Sequence, residues 1–334
     1  MNASRGRQVV LAFLTIAACS AHGAAAELPL ERVVDLRLPG NASRLDYQSL
    51  DARKHLLFIA HLGDGRVIAV NTALRRVVGV IPNVSAVHGV LAVPQRHTIY
   101  ASATGTNEVV AIDESSLRVR ARMPGGVYPD GMAFDPRHAR LFVSDESGGT
   151  ETVIDTKTDR RVATIPLGGE VGNTQYDPAS GHIFVNVQTR GELVEIDPRT
   201  ERIINRVALP GCAGNHGLLI DAPNRRAFIA CEDNATLVWF DMSTRRVVKE
   251  WSIGSEPDVL AIDPEKHLLY VAAESGIVSM LSDGPTVVRI AQGYLAPAAH
   301  TVTVDPATHL VYFPLENIDG APVLRILRPV HQAR

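Results

Sequence analysis

The chain has 334 residues, with 33 basic against 36 acidic side chains and a formal charge of −3. Balanced charge with no lysine–arginine run or stripe excludes the electrostatic footprint of a nucleic-acid binder. The length suits one large domain or two ordinary ones, and only internal organisation decides between them.

Arg5 and Arg7 precede a ten-residue apolar stretch, Val9–Ala18. That is too short to span a bilayer and suits the apolar core of a signal peptide. Two cleavage points compete. Ala24-Ala25-Ala26 before Glu27 fits signal peptidase, which would remove residues 1–26 and leave 27–334 as a single periplasmic or secreted domain. Ile16-Ala17-Ala18-Cys19 resembles a bacterial lipobox, which would end the signal at Ala18 and leave an outer-membrane lipoprotein anchored through Cys19. Removing 1–26 takes away Arg5, Arg7 and no acid, so the charge moves from −3 to −5. No transmembrane segment follows.

From Glu31 onward one segment returns seven times. Aligned on the residue five before an acidic turn, the repeats start at Asp46, His88, Asp130, Gly172, His216, Asp258 and His300, with gaps of 42, 42, 42, 44, 42 and 42. A period in this range with four short strands per unit predicts an all-β, seven-bladed β-propeller of four-stranded antiparallel blades. Blades bury their faces only against neighbours, so the repeats form one closed ring rather than two domains.

The third repeat shows the pattern. Gly131–Phe134 reads as the innermost strand a, Arg140–Ser144 as b, Glu151–Ile154 as c and Arg161–Ile165 as the outer strand d. Valine, isoleucine and aromatic residues dominate, as a half-buried pleated surface requires. Asp-Pro at 135–136, 177–178, 263–264 and 305–306, and Asp-x-x-Thr after strand c, are turn signals. The Arg-Arg pairs at 75–76, 160–161, 225–226 and 245–246 belong to outer strands or turns and should decorate the rim. In the fifth repeat, Cys212 leads into strand a and Cys231 ends strand b, which places both at one end of a hairpin. An oxidising compartment permits a disulfide there, worth about 3 kcal/mol in the chain-entropy account; two buried thiols are the alternative.

The seventh repeat supplies strands a to c, from about His300 to Leu327, and too few residues follow for a fourth strand. Glu31–Leu38 (ERVVDLRL) resembles Arg75–Pro82 (RRVVGVIP). The mature N-terminus therefore completes the last blade and removes an exposed sheet edge.

The tetrapeptides LFVS at Leu141–Ser144, IFVN at Ile183–Asn186 and YVAA at Tyr270–Ala273 precede Ile-Asp-x-x-Thr and Val-Val-x-x-Ile-Pro runs. Together these resemble the YVTN repeat of YncE-like exported propellers, over about residues 28–329. The resemblance implies the propeller and export. It says little about chemistry, because function lies in sites grafted onto a fold. Some YncE-like proteins are linked to DNA, which the acidic mature chain opposes.

In a propeller, the residue leading into strand a lines a channel mouth. That ring reads Asp46, His88, Asp130, Gly172 (or Asn173, one residue on), His216, Asp258 and His300, six of seven ionisable. Glycines beside them, as in His88-Gly89, Asp130-Gly131 and His216-Gly217, allow close approach to backbone. Four residues past the strand-b aromatic lies a second ring: Leu62, Thr104, Glu146, Gln188, Glu232, Glu274 and Glu316. Converging carboxylates and imidazoles repel or shift their pKa values unless a cation sits among them. Imidazole with carboxylate is a donor set for divalent transition metals. His88, His216, His300, Asp130 and Asp258 are thus the candidate metal ligands, and both rings the candidate ligand site. The bland alternative is that each leading residue merely caps its loop.

Three functions fit these residues. The first is an exported binding protein for a metal ion or small polar ligand. The second is a metal-dependent lyase or hydrolase at the same mouth. The third is a scaffold binding a protein partner on the propeller face.

Overall fold

The computed structural model describes residues 27–330. The signal peptide and the Cys19 lipobox lie outside the described residues. Within them the protein is a seven-bladed β-propeller: 28 strands form seven four-stranded antiparallel sheets. Helix is limited among the described residues to five single 3-10 turns, and none is long and apolar enough to cross a membrane.

Local chemistry sets each blade. In the third, strands run Pro129–Asp135, Arg140–Asp145, Thr150–Asp155 and Arg160–Pro166, one to three residues longer than the pattern predicted. Asp135, Asp177, Asp263 and Asp305 accept the backbone N–H two residues on, at 2.8, 3.0, 3.2 and 3.0 Å. That is the turn-forming bond for which Asp is suited.

Successive blades pack face to face. Phe142 and Val153 of blade three meet Ile183 and Val185 of blade four in one buried cluster. Leu310, Tyr312, Leu324 and Ile326 of blade seven share another with Leu57, Ile59, Ile68 and Val70 of blade one. Each such side chain contributes roughly 1.5–3 kcal/mol of burial, so the closing seam is as apolar as the internal ones. The latch is the N-terminal strand Leu30–Arg37, which pairs antiparallel with Ala321–Pro329. It begins one residue earlier than the sequence pattern suggests. Asp35 accepts two hydrogen bonds from Arg325, at 2.8 and 2.7 Å, and pins that pairing.

Cys212 and Cys231 are joined in a disulfide, with Cα atoms 5.3 Å apart. Arg226 departs from the rim expected of the arginine pairs. It is 4 % exposed. It bonds Asp221 at 2.7 Å and Asp283, and stacks over Phe228 and Trp239. A planar guanidinium can be buried when its donors are met by carboxylates and its face by rings.

One backbone irregularity positions the site. In blades two to six, strand a carries a bulge where two residues face one on strand b. The bulged pairs are His88-Gly89, Asp130-Gly131, Gly172-Asn173, His216-Gly217 and Asp258-Val259. A bulge re-aims a side chain, and here it turns the leading residue to the channel mouth. Glycine follows His88, Asp130 and His216 because neighbouring strands nearly touch there. A Cβ on Gly89 would lie 2.1 Å from the Asp130 carbonyl oxygen, and one on Gly217 2.0 Å from that of Asp258.

Candidate functional site

The two rings meet at one mouth, around a cavity of about 490 Å³. Asp46, His88, Asp130, His216 and Asp258 line it from the first ring, and Leu62, Thr104, Glu146, Glu232 and Glu274 from the second. His300 stands just behind the wall, fully buried. Gln188 lies behind His216 and meets its Nδ1 at 3.0 Å. Glu316 is outside the cavity lining, half-buried and within electrostatic reach of His300, Arg44 and Glu274. Gly172 offers no side chain; Asn173 accepts a hydrogen bond from the Tyr47 hydroxyl at 2.8 Å.

Asp258 is the hub. Its Oδ2 lies 2.7 Å from His300 Nδ1, and its Oδ1 lies 3.5 Å from His216 Nε2. That Oδ1 is buried and has no hydrogen-bond partner. Two sets of donor atoms therefore converge within 4.8 Å: Asp46, Asp258 and His300, and His216, Glu232 and Asp258. Both share Asp258.

His88 and Asp130 join neither set. His88 Nδ1 lies 3.0 Å from the Ala86 carbonyl and from Thr104 Oγ1, and its Nε2 lies 3.0 Å from the Tyr128 hydroxyl. This is the loop-capping geometry, and it separates His88 from the other two histidines. Asp130 lines the same cavity with a buried, unpartnered Oδ1. Three histidines around a single ion is thus not the arrangement present.

Arg44, Tyr47 and Tyr128 also line the cavity and escaped the sequence reading. Arg44 reaches Glu274 at 2.6 Å and Asp46 at 3.4 Å. Tyr47 crosses the channel to Asn173 and stands 3.1 Å from His216 Nε2. The signal for Arg44 and Tyr128 lay two residues upstream of the ring, where the repeats read Arg44, Ala86, Tyr128, Glu170, Gly214, Glu256 and Ala298, while Tyr47 directly follows Asp46. Of that row, Arg44 and Tyr128 carry a guanidinium and an aromatic ring into the cavity.

Burial and mutual charge displace most of the titrating groups at this mouth. Burial drives Asp46 up to about 7, with the Asp258 charge adding to it and His300 opposing. Burial likewise raises Glu232 to about 7 and pushes Asp130 well above the carboxylate range. Burial also acts upward on Asp258, yet the His300 hydrogen bond and the charges of His216 and Arg44 outweigh it and hold the group low. Burial alone would lower His300 and His216. The facing carboxylates, Asp258 foremost, raise both to about 9 instead. His88, with burial dominant, falls to about 4 and is neutral at pH 7. The cluster thus gathers protons to balance itself.

No protein-family model matches the chain, and no curated protein matches it. Among solved structures the chain is similar to "Kuenenia stuttgartiensis Hydrazine Synthase", with a TM-score of 0.73 and 13 % identity over 92 % of this chain and 98 % of that one. It is similar to U3-55K at a TM-score of 0.75 and 11 % identity, over 90 % of this chain and 98 % of that one. The RRP9 WD40 repeats give 0.74 and 11 %, over 90 % and 97 %. Such identities establish the propeller fold alone.

Proposed function

We propose that this protein is an exported, YncE-like propeller that binds a divalent cation at its channel mouth, with a small polar ligand beside it. One observation carries the reading: the buried Asp258 carboxylate, with an unpartnered Oδ1, stands between two sets of His and carboxylate donors. A buried oxygen without a partner costs about 1–3 kcal/mol, and a cation would satisfy it. Mixed nitrogen and oxygen donors suit first-row divalent ions such as Zn²⁺, Mn²⁺ or Co²⁺. The cavity of about 490 Å³ leaves room for a ligand against Arg44, Tyr128 and Glu146. Export is supported by Arg5 and Arg7 before the apolar run Val9–Ala18 and by the Cys212–Cys231 pair. The LFVS and YVAA repeats support the YncE-like assignment.

The test is elemental analysis of protein purified without a His-tag from the periplasm, followed by calorimetric titration of Zn²⁺ into metal-stripped protein at pH 7.5 and pH 5.5. Binding should be present at the higher pH and weaker at the lower, because protons compete for His300 and His216. Absence of binding at both would reject the cation reading and leave the scaffold for a protein partner in first place.

A further inference from the structure

We infer that the channel mouth holds two divalent cations, bridged by the Asp258 carboxylate. This deepens the single-cation reading above and rests on it.

Asp258 presents its two oxygens to two different half-sites. Oδ2 faces His300 Nδ1 at 2.7 Å, with Asp46 in the same donor set. Oδ1 faces His216 Nε2 at 3.5 Å, with Glu232 in that set. Each half-site therefore has one imidazole, one carboxylate of its own and one oxygen of the shared carboxylate. A single ion on the His300 side would leave Oδ1, Glu232 and His216 unserved, and the buried Oδ1 has no other partner. Two-metal centres, with ions about 3.5–4 Å apart, are held by shared bridging ligands of this kind.

The outer contacts support the assignment for His300, and an amide turn at Gln188 extends it to His216. A ligating imidazole is normally held through its other nitrogen, which fixes the tautomer and the ring plane. His300 Nε2 donates to the Leu45 carbonyl at 2.9 Å, which leaves the Nδ1 lone pair of the neutral ring aimed at the cluster. His216 Nδ1 meets the side-chain amide of Gln188 at 3.0 Å. The atom placed there is the amide nitrogen, and the Tyr47 hydroxyl lies 3.1 Å from Nε2; with the amide turned over, Gln188 accepts from Nδ1–H and leaves the Nε2 lone pair for an ion between it and Asp258 Oδ1. Glutamine is unique to this blade at its ring position, where the others carry Leu62, Thr104, Glu146, Glu232, Glu274 and Glu316. It stands beside His216 as Thr104 stands beside His88.

The experiment uses the metal-stripped full chain and Mn²⁺ alone, with calorimetry for stoichiometry and electron paramagnetic resonance for coupling. Two Mn²⁺ per chain and an exchange-coupled signal are expected. Glu232→Gln, in the accessible cavity wall, should lose one equivalent and give the six-line signal of an isolated ion. Asp258→Asn should lose the coupling and at least one ion. If that buried variant fails to fold, Glu232→Gln still decides the stoichiometry. One Mn²⁺ in the wild type would overturn the second ion while leaving the single-cation reading intact. Two ions without coupling would overturn the bridge. No Mn²⁺ bound would overturn both readings.

Discussion

Arg44 and Glu274 stand 230 positions apart in the chain, yet their side chains meet at 2.6 Å beside the channel mouth. Arg44 leads into blade one and Glu274 follows strand b of blade six, so the pair spans blade seven and exists only because the ring closes. The guanidinium is a built-in counter-ion for Glu274 and Asp46. Arg44→Met should therefore tighten divalent-cation binding, on the order of tenfold for one partly exposed charge removed at close range, and lower the stability of the metal-free protein by about 1–3 kcal/mol. Calorimetry and urea unfolding check the two effects. Weaker cation binding in the variant would mean that Arg44 positions the ligands rather than competing with the ion.

Metal-free protein should lose stability as pH rises. His216 and His300 titrate near 9 in the fold, against about 6.5 for an ordinary imidazole. Their contribution is full below about 6.5 and is lost as pH climbs through 9. Asp46 and Glu232, raised to about 7, act in the same direction from the ordinary carboxylate range near 4 upward. Melting temperatures of stripped protein should fall from pH 6.5 to pH 9, above the window in which the depressed His88 acts the other way, and saturating Zn²⁺ should reverse the fall at the alkaline end. A melting temperature that rises across this range would contradict the assignment of these groups.

Gly217→Ala should damage both fold and site. Its Cβ would lie 2.0 Å from the Asp258 carbonyl oxygen, forcing apart the two bulges that carry His216 and Asp258. A cost of roughly 1–3 kcal/mol or more is expected for such overpacking, with weakened cation binding. Gly284→Ala, whose Cβ would meet nothing within 4 Å, is the control, with an effect within about 0.5 kcal/mol. Equal melting temperatures for the two variants would show that the strands do not need that close approach.

Deleting residues 27–39 should unlatch the ring, since strand Leu30–Arg37 is the outer strand of blade seven. The truncated chain should melt well below the full one and expose the edge of Ala321–Pro329. The milder Asp35→Ala removes the paired bonds to Arg325 and should cost about 1–2 kcal/mol. An unchanged melting temperature after the deletion would rule out the latch.

Replacing Cys212 and Cys231 together by Ser should lower stability by about 3 kcal/mol, from the loop that the bond closes. Non-reducing peptide mapping of exported protein should recover the two cysteines as one linked species. Two free thiols would reject the bond in the exported chain.

The repeat was legible because each blade encodes itself locally. Strand, Asp turn and outer strand recur at constant spacing, and the turn aspartates bond the backbone two residues on. Closure could be read too, since ERVVDLRL at Glu31–Leu38 looks like an outer strand with no blade of its own. The two rings were likewise visible, because one structural position per blade maps to one place on the mouth.

Tertiary structure decided what those positions do. Sequence alignment put His88, His216 and His300 on an equal footing. Folding gave His88 to Ala86, Thr104 and Tyr128, and gave the other two opposite oxygens of Asp258. Arg44 joined the site by reaching Glu274 past an entire blade, and Arg226 left the expected rim for a pocket between Asp221, Asp283 and two aromatic faces. Periodicity specifies which residues share a ring, because backbone spacing is local. Which of them meet depends on side-chain reach across the channel and on burial, both of which arise only when distant blades are brought together.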